Sequence, residues 1–226
     1  GAYSTAIGSN ALANNTTAST NTAVGYQAGY TNTTSANQCF VGHQAGYAIT
    51  GANNTAFGYG AMLNATTTSG SVALGRLSLS AACTGADNTA VGNSCLQSNT
   101  SGASLTAVGS QALMNNTTAS NNTAVGYQAG YTNSTGLHNT FVGYQAGYSS
   151  TGGENTCVGR TAGYSISTGT GNTFVGPGNG ATSNGSGYFV TTGSLNTIIG
   201  GYNGNQGGLD IRTASNYIVL SDGVGN

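Results

Sequence analysis

Asn-Thr-Ala-Val-Gly-Tyr-Gln-Ala-Gly-Tyr occupies residues 122–131 and recurs unchanged at residues 21–30. Altered copies fill most of the remaining chain, and each has an apolar residue directly before a glycine. These glycines return at a nearly constant interval, which is one residue shorter between Gly42 and Gly58 and between Gly143 and Gly159. They are Gly8, Gly25, Gly42, Gly58, Gly75, Gly92, Gly109, Gly126, Gly143, Gly159 and Gly176. A short period sustained in this way predicts a solenoid, in which each repeat buries its apolar side against its neighbours.

Each repeat has a fixed pattern around its glycine, which we number position 0. Position −1 is always apolar, position −2 is Ala or Phe with one Cys, and position −3 is nearly always Thr. Position −4 is mostly Asn and position +3 is nearly always Ala. Thr, Val, Phe and Tyr favour strands, whereas the Asn, Ser, Thr and Gly of the other positions favour turns. The pattern predicts two short strands per repeat, at −4 to −1 and at +2 to +6, each pairing in parallel about 4.8 Å from its copy.

Two variants follow position +3. In one, Gly at +4 precedes Tyr at +5, as in Gly29-Tyr30. In the other, a bulky aliphatic residue such as Leu12 or Met62 stands at +4 and no Tyr follows. The exchange predicts a single interior volume that is filled either from +5 or from +4.

The predicted fold is an all-β parallel β-solenoid (a β-roll or β-helix) of about eleven 17-residue rungs. We place this shaft at residues 1–180 and a C-terminal capping segment at 181–226, because Gly200 follows Gly176 by more than one repeat length. Ile198 to Gly200 still echo the repeat, and we predict closing strands at Ile211 and at 217–220. The ends of a solenoid need such a cap to shield the last rung. The chain starts inside a repeat, which indicates a fragment or a processed product.

Charged residues make up only 3% of the chain, and the formal net charge is −1. The three basic residues, Arg76, Arg160 and Arg212, are far apart in the sequence. Electrostatic capture of nucleic acid or of an anionic membrane needs clustered positive charge, so we expect no nucleic-acid partner. The chain also lacks an apolar run of about 18 residues, so we expect no membrane insertion.

Residues that do chemistry are few and scattered. Catalytic dyads and triads need members close in space, whereas the two histidines and four acidic residues fall on different rungs or in the tail. Cys39, Cys83, Cys95 and Cys157 lie in different repeats without metal-ligand spacing, and we interpret them as free thiols in small apolar positions. We expect no catalytic residue, no cofactor and no metal. The histidines and acidic residues are His43, His138, Asp87, Glu154, Asp210 and Asp222.

Position −2 forms an apolar row from end to end. Side chains alternate faces along a strand, so if position −1 points inward, position −2 points outward. An exposed row that includes phenylalanines requires a cover, which predicts association of identical chains along this row. A flattened single-chain solenoid with position −2 inside is the alternative. The interface candidates are Phe40, Phe141, Phe174, Ala23 and Ala124.

Two segments resemble known families. Ser-Val-Ala-Leu-Gly-Arg-Leu-Ser at 71–78 resembles the repeat of trimeric autotransporter adhesin heads, although the adhesin repeat is shorter. The segment 209–223 is similar to the stretch that precedes a C-terminal self-cleaving chaperone in phage tail fibres. The resemblance implies a left-handed β-roll wound from three chains and, for this chain, the shaft of a trimeric fibre.

We therefore expect an extracellular structural fibre or adhesin shaft, from a phage tail fibre or a bacterial surface appendage. Tyr26, Tyr127 and Tyr144 are candidate ligand residues, because exposed tyrosines stack on the sugar rings of cell-surface glycans. An ice-binding solenoid that uses the Thr row at −3 is the alternative function. It needs a flat, exposed Thr array, whereas the predicted strand orientation buries that row beside position −1.

Overall fold

The computed structural model of the chain describes residues 2–177 and 184–221. Within these residues the fold is an all-β parallel β-solenoid with one turn per sequence repeat, and it contains no helix. This confirms the predicted fold class. The chain forms two compact units, Gly1–Gln111 and Ala112–Asn226. The boundary predicted between residues 180 and 181 lies outside the described residues.

The first unit contains seven three-residue strands, and neighbouring strands pair in parallel with equivalent positions opposite each other. In β2 and β3, for example, Ala23 faces Phe40 and Val24 faces Val41. The strands are β1 (Thr5–Ile7), β2 (Thr22–Val24), β3 (Cys39–Val41), β4 (Thr55–Phe57), β5 (Val72–Leu74), β6 (Thr89–Val91) and β7 (Thr106–Val108).

The second unit repeats this arrangement and extends it into the tail. Its parallel strands are β8 (Thr123–Val125), β9 (Thr140–Val142), β10 (Thr156–Val158), β11 (Thr173–Val175), β12 (Thr197–Gly200) and β15 (Ile218–Ser221). A short antiparallel hairpin, β13 (Asn205–Gln206) and β14 (Leu209–Asp210), lies between the last two. The predicted closing strand at 217–220 is therefore largely confirmed by β15, whereas Ile211 is buried outside any strand.

The glycine at position 0 is required by the close approach of successive turns. A Cβ atom on Gly58 would lie 2.7 Å from the carbonyl oxygen of Gly75 in the next turn, and the same contact for Gly8 would be 2.6 Å. The φ angle of Gly58 is 136°, which residues with a side chain rarely adopt. The chain leaves each strand through this conformation, so the recurrence of glycine has a backbone cause.

The second strand predicted for each repeat does not form. Gln27 and Gly29, at positions +2 and +4, have φ angles of 52° and 62°, which lie outside the β region. The segment still bonds to both neighbouring turns. The N–H of Gln27 donates to the carbonyl oxygen of Ser9 (2.9 Å), and that of Gly29 donates to Ala45 (2.9 Å). Glycine at +4 therefore serves a left-handed turn.

Position −2 points into the solenoid, and positions −1 and −3 point outward. Phe40 in β3 has no exposed surface, whereas Phe57, at position −1 of β4, is 56% exposed. The predicted alternation of faces is correct, but the predicted orientation is reversed. The alternative, with position −2 inside a single chain, is the arrangement observed.

Each buried phenylalanine fills space that glycine leaves free at position +4. A Cβ atom on Gly130 would lie 2.6 Å from the ring of Phe141 and 2.8 Å from Leu113, and Gly147 also contacts this ring. Most turns with Ala at −2 instead bury Leu or Met at +4, as in Leu96 and Leu113. The turns of Ala23 and Ala124 keep glycine at +4, where the phenylalanine of the next turn takes the space. The interior volume is therefore filled either by a side chain at position +4 or by a phenylalanine at position −2 of the same or the next turn. Tyr at +5 fills none of it, because these tyrosines are half-buried and stack on one another along the surface.

Asparagine at position −4 forms a buried ladder. The Oδ1 atom of Asn88 accepts a hydrogen bond from the N–H of Leu105 (3.0 Å), and its Nδ2 donates to the carbonyl oxygen of Gly102 (2.9 Å). Asn139 makes the equivalent bonds to Asn155 and Gly152. Buried amides are stable only when bonded in this way, so the ladder links each turn to the next and explains the recurrence of Asn.

Candidate interaction surface

The outward side of the sheet is an uncharged, largely apolar surface. We call the residues at positions −1 and −3 of the parallel strands the outer face of each unit. Its −1 row consists only of Ile, Val, Leu and Phe, and its −3 row of Thr, Cys, Val and Ile. The most exposed apolar members are Ile7, Phe57, Leu74, Val125, Ile199, Ile218 and Leu220. Contiguous apolar rows exposed in this way mark interaction sites in soluble proteins.

The threonine row at position −3 lies on this same face. Thr22 and Thr106 are exposed, and the other threonines of β2 to β11 are half-buried. The prediction that this row is interior is therefore wrong, because it shares its face with the outward position −1. Cys39 and Val72 interrupt the row in the first unit.

The predicted interface residues lie elsewhere. Phe40, Phe141, Phe174, Ala23 and Ala124 all have 0% exposed surface in a single chain. They pack inside the coil against their own neighbouring turns and have no surface to offer to a second chain. Their prediction as interface residues is wrong. The cause is that positions −1 and −2 are both apolar, so hydrophobicity does not show which of the two rows points outward.

The candidate ligand residues form stacked rows at position +1. In the first unit, His43 stacks between Tyr26 and Tyr59, with ring centroids 5.1 Å apart on both sides. The guanidinium carbon of Arg76 lies 6.0 Å from the centroid of the Tyr59 ring and ends the row. All four side chains are exposed, and Tyr26 is 45% exposed. We call these four residues the first tyrosine–arginine row.

The second unit has a matching row, formed by Tyr127, Tyr144 and Arg160. The two tyrosine centroids are 5.5 Å apart, and the guanidinium carbon of Arg160 lies 5.7 Å from the centroid of Tyr144. The three tyrosines named from the sequence thus lie on the surface, two of them side by side. His43, Tyr59 and the arginines were not predicted as members, although all of them occupy position +1.

The other charged residues are arranged differently. Arg212 pairs with Asp210 at 2.7 Å, and this exposed contact lowers the pKa of the Asp210 carboxyl. His138 and Glu154 line an open cleft at a turn corner together with Leu137. Across residues 2–177 and 184–221, no three His, Cys, Asp or Glu side chains are grouped in a way that could hold a metal ion. Asp222 lies outside the described residues.

All four cysteines are free thiols, as predicted. Cys83, Cys95 and Cys157 are buried, and burial raises the pKa of each of these thiols, that of Cys95 to about 12. Cys39 differs from them because it lies half-buried on the outer face.

Comparisons of the chain with protein-family models, with curated proteins and with solved structures found no match. The resemblances to adhesin heads and to phage tail fibres therefore stay predictions from the motifs. Among the described residues, no helix has the length and apolar character needed to cross a membrane.

Proposed function

We propose that this chain is the shaft of an extracellular structural fibre or adhesin, a phage tail fibre or a bacterial surface appendage, that associates with copies of itself and attaches to cell-surface glycans. The observation that supports this role best is the outer face, which presents an exposed aliphatic row and no charge along each unit. A stacked coil with such a face is suited to extension and lateral packing, and we assign it no catalytic role.

The outer face suits a second copy of the chain better than an unrelated partner. Its rows repeat at the spacing of parallel strands, so an identical chain presents the same spacing and packs in register over many turns. Neither face carries a charge that would oppose this contact. Three copies arranged around a common axis would cover Phe57, Leu74 and their equivalents. We propose a homotrimer because the adhesin heads whose repeat this chain resembles are wound from three chains.

The molar mass in solution tests this proposal. We expect sedimentation equilibrium to give three times the chain mass of 22.1 kDa. Val91→Glu places a carboxylate in β6, on the outer face of the first unit, and burying it unpaired opposes association. The matched control is Ser104→Glu, which adds the same charge at an exposed turn corner. Glu154 occupies the equivalent position of another repeat, so a glutamate is accepted in this conformation.

A monomeric wild type, or a Val91→Glu variant that stays as associated as the Ser104→Glu control, would reject the outer face as the interface. Association that Val91→Glu abolishes and Ser104→Glu preserves supports it.

Ice binding remains the second candidate, because the threonine row is now known to point outward on a regular parallel sheet. Two features oppose it. The row is interrupted at Cys39 and Val72, and the adjacent −1 row contains the bulky Phe57. One face also cannot serve both roles, since association would cover the threonines. Thermal hysteresis from a monomeric chain would support ice binding, and a trimer without hysteresis would support the fibre.

A further inference from the structure

Basic residues are rare in this protein, and their placement is uneven. The chain has no lysine and only three arginines. Arg212 pairs with Asp210, and Arg76 and Arg160 each lie over the last tyrosine ring of a tyrosine–arginine row. Two separate units thus end an exposed row at position +1 in the same way.

An arginine in this position has its donors directed sideways. When a guanidinium lies over an aromatic ring, its N–H groups radiate in its own plane, where they match the two oxygens of a carboxylate. The side chains of Arg76 and Arg160 are exposed, so a ligand in solvent can approach them. The row therefore combines one fixed positive charge with neighbouring phenol hydroxyls.

The ring spacing suits a saccharide chain that lies along the row. Centroids in the rows are 5.1 to 5.5 Å apart, which is comparable with the length of one sugar unit in an extended β-linked chain. The faces between stacked rings are occupied by the neighbouring rings. A sugar on this surface therefore contacts ring edges and the hydroxyls of Tyr26, Tyr59, Tyr127 and Tyr144.

We propose that the tyrosine–arginine rows bind a saccharide that carries a carboxylate, with the carboxylate paired to Arg76 or Arg160. This inference depends on the attachment role proposed above and names its ligand class. A polyphosphate is a poorer match, because such a chain offers no sugar ring or sugar hydroxyl to the exposed tyrosine edges and phenol hydroxyls. The net charge of −1 gives no long-range attraction for polyanions, so the contact is local.

The test compares one polymer in two forms, short-chain β-1,4-linked polymannuronate and the same polymer after chemical reduction of its carboxyl groups to alcohols. We expect the full chain to bind polymannuronate at least about tenfold more tightly than the reduced form, as loss of a charge-assisted contact implies. Arg76→Gln/Arg160→Gln should remove this preference. Arg212→Gln is the matched control and should keep it, since Arg212 lies on another part of the surface.

A chemical test avoids dependence on the folding of the double variant. In Arg212→Gln, an arginine-specific dicarbonyl reagent has only two arginines, Arg76 and Arg160, to modify, and modification should abolish the preference for polymannuronate. Equal binding to both polymers, or a preference that survives these changes, overturns the proposal. If the chain is a trimer but binds neither polymer, the ligand class is wrong and the shaft proposal stands. If it is a monomer that prefers polymannuronate, the ligand class is right and the shaft proposal is wrong.

Discussion

The two sides of a single strand differ in how their side chains are matched. Phe141 and Val142 are neighbours in β9, yet the ring of Phe141 is enclosed between Gly130 and Gly147, whereas Val142 lies half-buried on the outer face. Inside, each phenylalanine is balanced by glycine in a neighbouring turn, and each leucine at +4 by alanine at −2. Outside, Val, Phe, Leu and Ile follow one another without such compensation. The interior is therefore completed by one chain, and the outer face is suited to a cover from another molecule.

The largest effect is expected from truncating the inner side chain. Phe141→Ala should lower the free energy of unfolding by about 3 to 5 kcal/mol, because it leaves a cavity that neighbouring backbone cannot fill. Val142→Ala in the same strand should cost about 1 kcal/mol or less when measured on a dissociated background such as Val91→Glu. Urea unfolding of both variants on that background makes the comparison.

Similar losses for the two variants would contradict the distinction between the sides. If Phe141→Ala lowers the free energy of unfolding only slightly, the neighbouring turns must collapse into the cavity.

A second substitution should recover part of the loss from the first. Phe141→Ala/Gly147→Leu converts this turn to the type that has Ala90 at −2 and Leu96 at +4. Leu96 adopts a φ of 51°, so leucine is accepted at this position of the turn. We expect the double variant to regain about 2 kcal/mol relative to Phe141→Ala, since a leucine side chain refills most of the cavity.

Gly147→Leu alone provides the control, and it should destabilise the protein because its side chain collides with the Phe141 ring. If the double variant is no more stable than Phe141→Ala, the proposal that positions −2 and +4 fill one shared volume is wrong.

The period of the sequence was sufficient to predict the solenoid, the parallel register and the turn length. It was not sufficient to orient the strand, because positions −1 and −2 are both apolar and hydrophobicity does not distinguish them. The pairing of Phe40 with glycines at +4 in adjacent repeats was a usable signal, as was the Asn at −4. A buried Asn has the same parity along the strand as position −2 and therefore points to the same side.

The second predicted strand failed for a related reason. The sequence pattern predicts that glycine at +4 leaves room for Tyr at +5, whereas in the structure this glycine permits a positive φ angle and accommodates a phenylalanine. The rows at +1 were partly predictable, since Tyr26, Tyr127 and Tyr144 were chosen from the sequence. The contribution of Arg76 was not, because an arginine one repeat after Tyr59 becomes its neighbour only when the register is known.

The buried thiols extend the comparison between the two sides of the strand to alkaline pH. Burial raises the pKa of Cys95 from 9.0 to about 12, so the unfolded chain loses this proton first as the pH rises. The stability contributed by the protonated thiol is complete below about pH 9 and falls between about pH 9 and about pH 12, by about 1.4 kcal/mol per pH unit. Unfolding free energies at about pH 8 and about pH 10 measure it.

Cys95→Ala is the matched variant, because Ala occupies this +3 position in most repeats, as at Ala28. It should show a shallower alkaline loss than the wild type. An unchanged slope would mean that the Cys95 thiol does not contribute to the pH dependence.

The smallest expected effect is a change in the rate at which Cys39 is alkylated, with no change in stability. Thiolates are the reactive form, so burial and raised pKa protect Cys83, Cys95 and Cys157 from alkylation at neutral pH, and labelling of the native chain reports on Cys39. If a second copy covers the outer face, Cys39 should react more slowly in the wild type than in the dissociated Val91→Glu variant. Mass spectrometry of the alkylated chain gives the number and site of labels, and the urea-unfolded chain, with four labels, sets the upper limit.

Equal rates in the two proteins would place the contact away from β3 even if the chain is a trimer. Slower labelling in the wild type would locate the cover on the side of the strand that a single chain leaves unmatched.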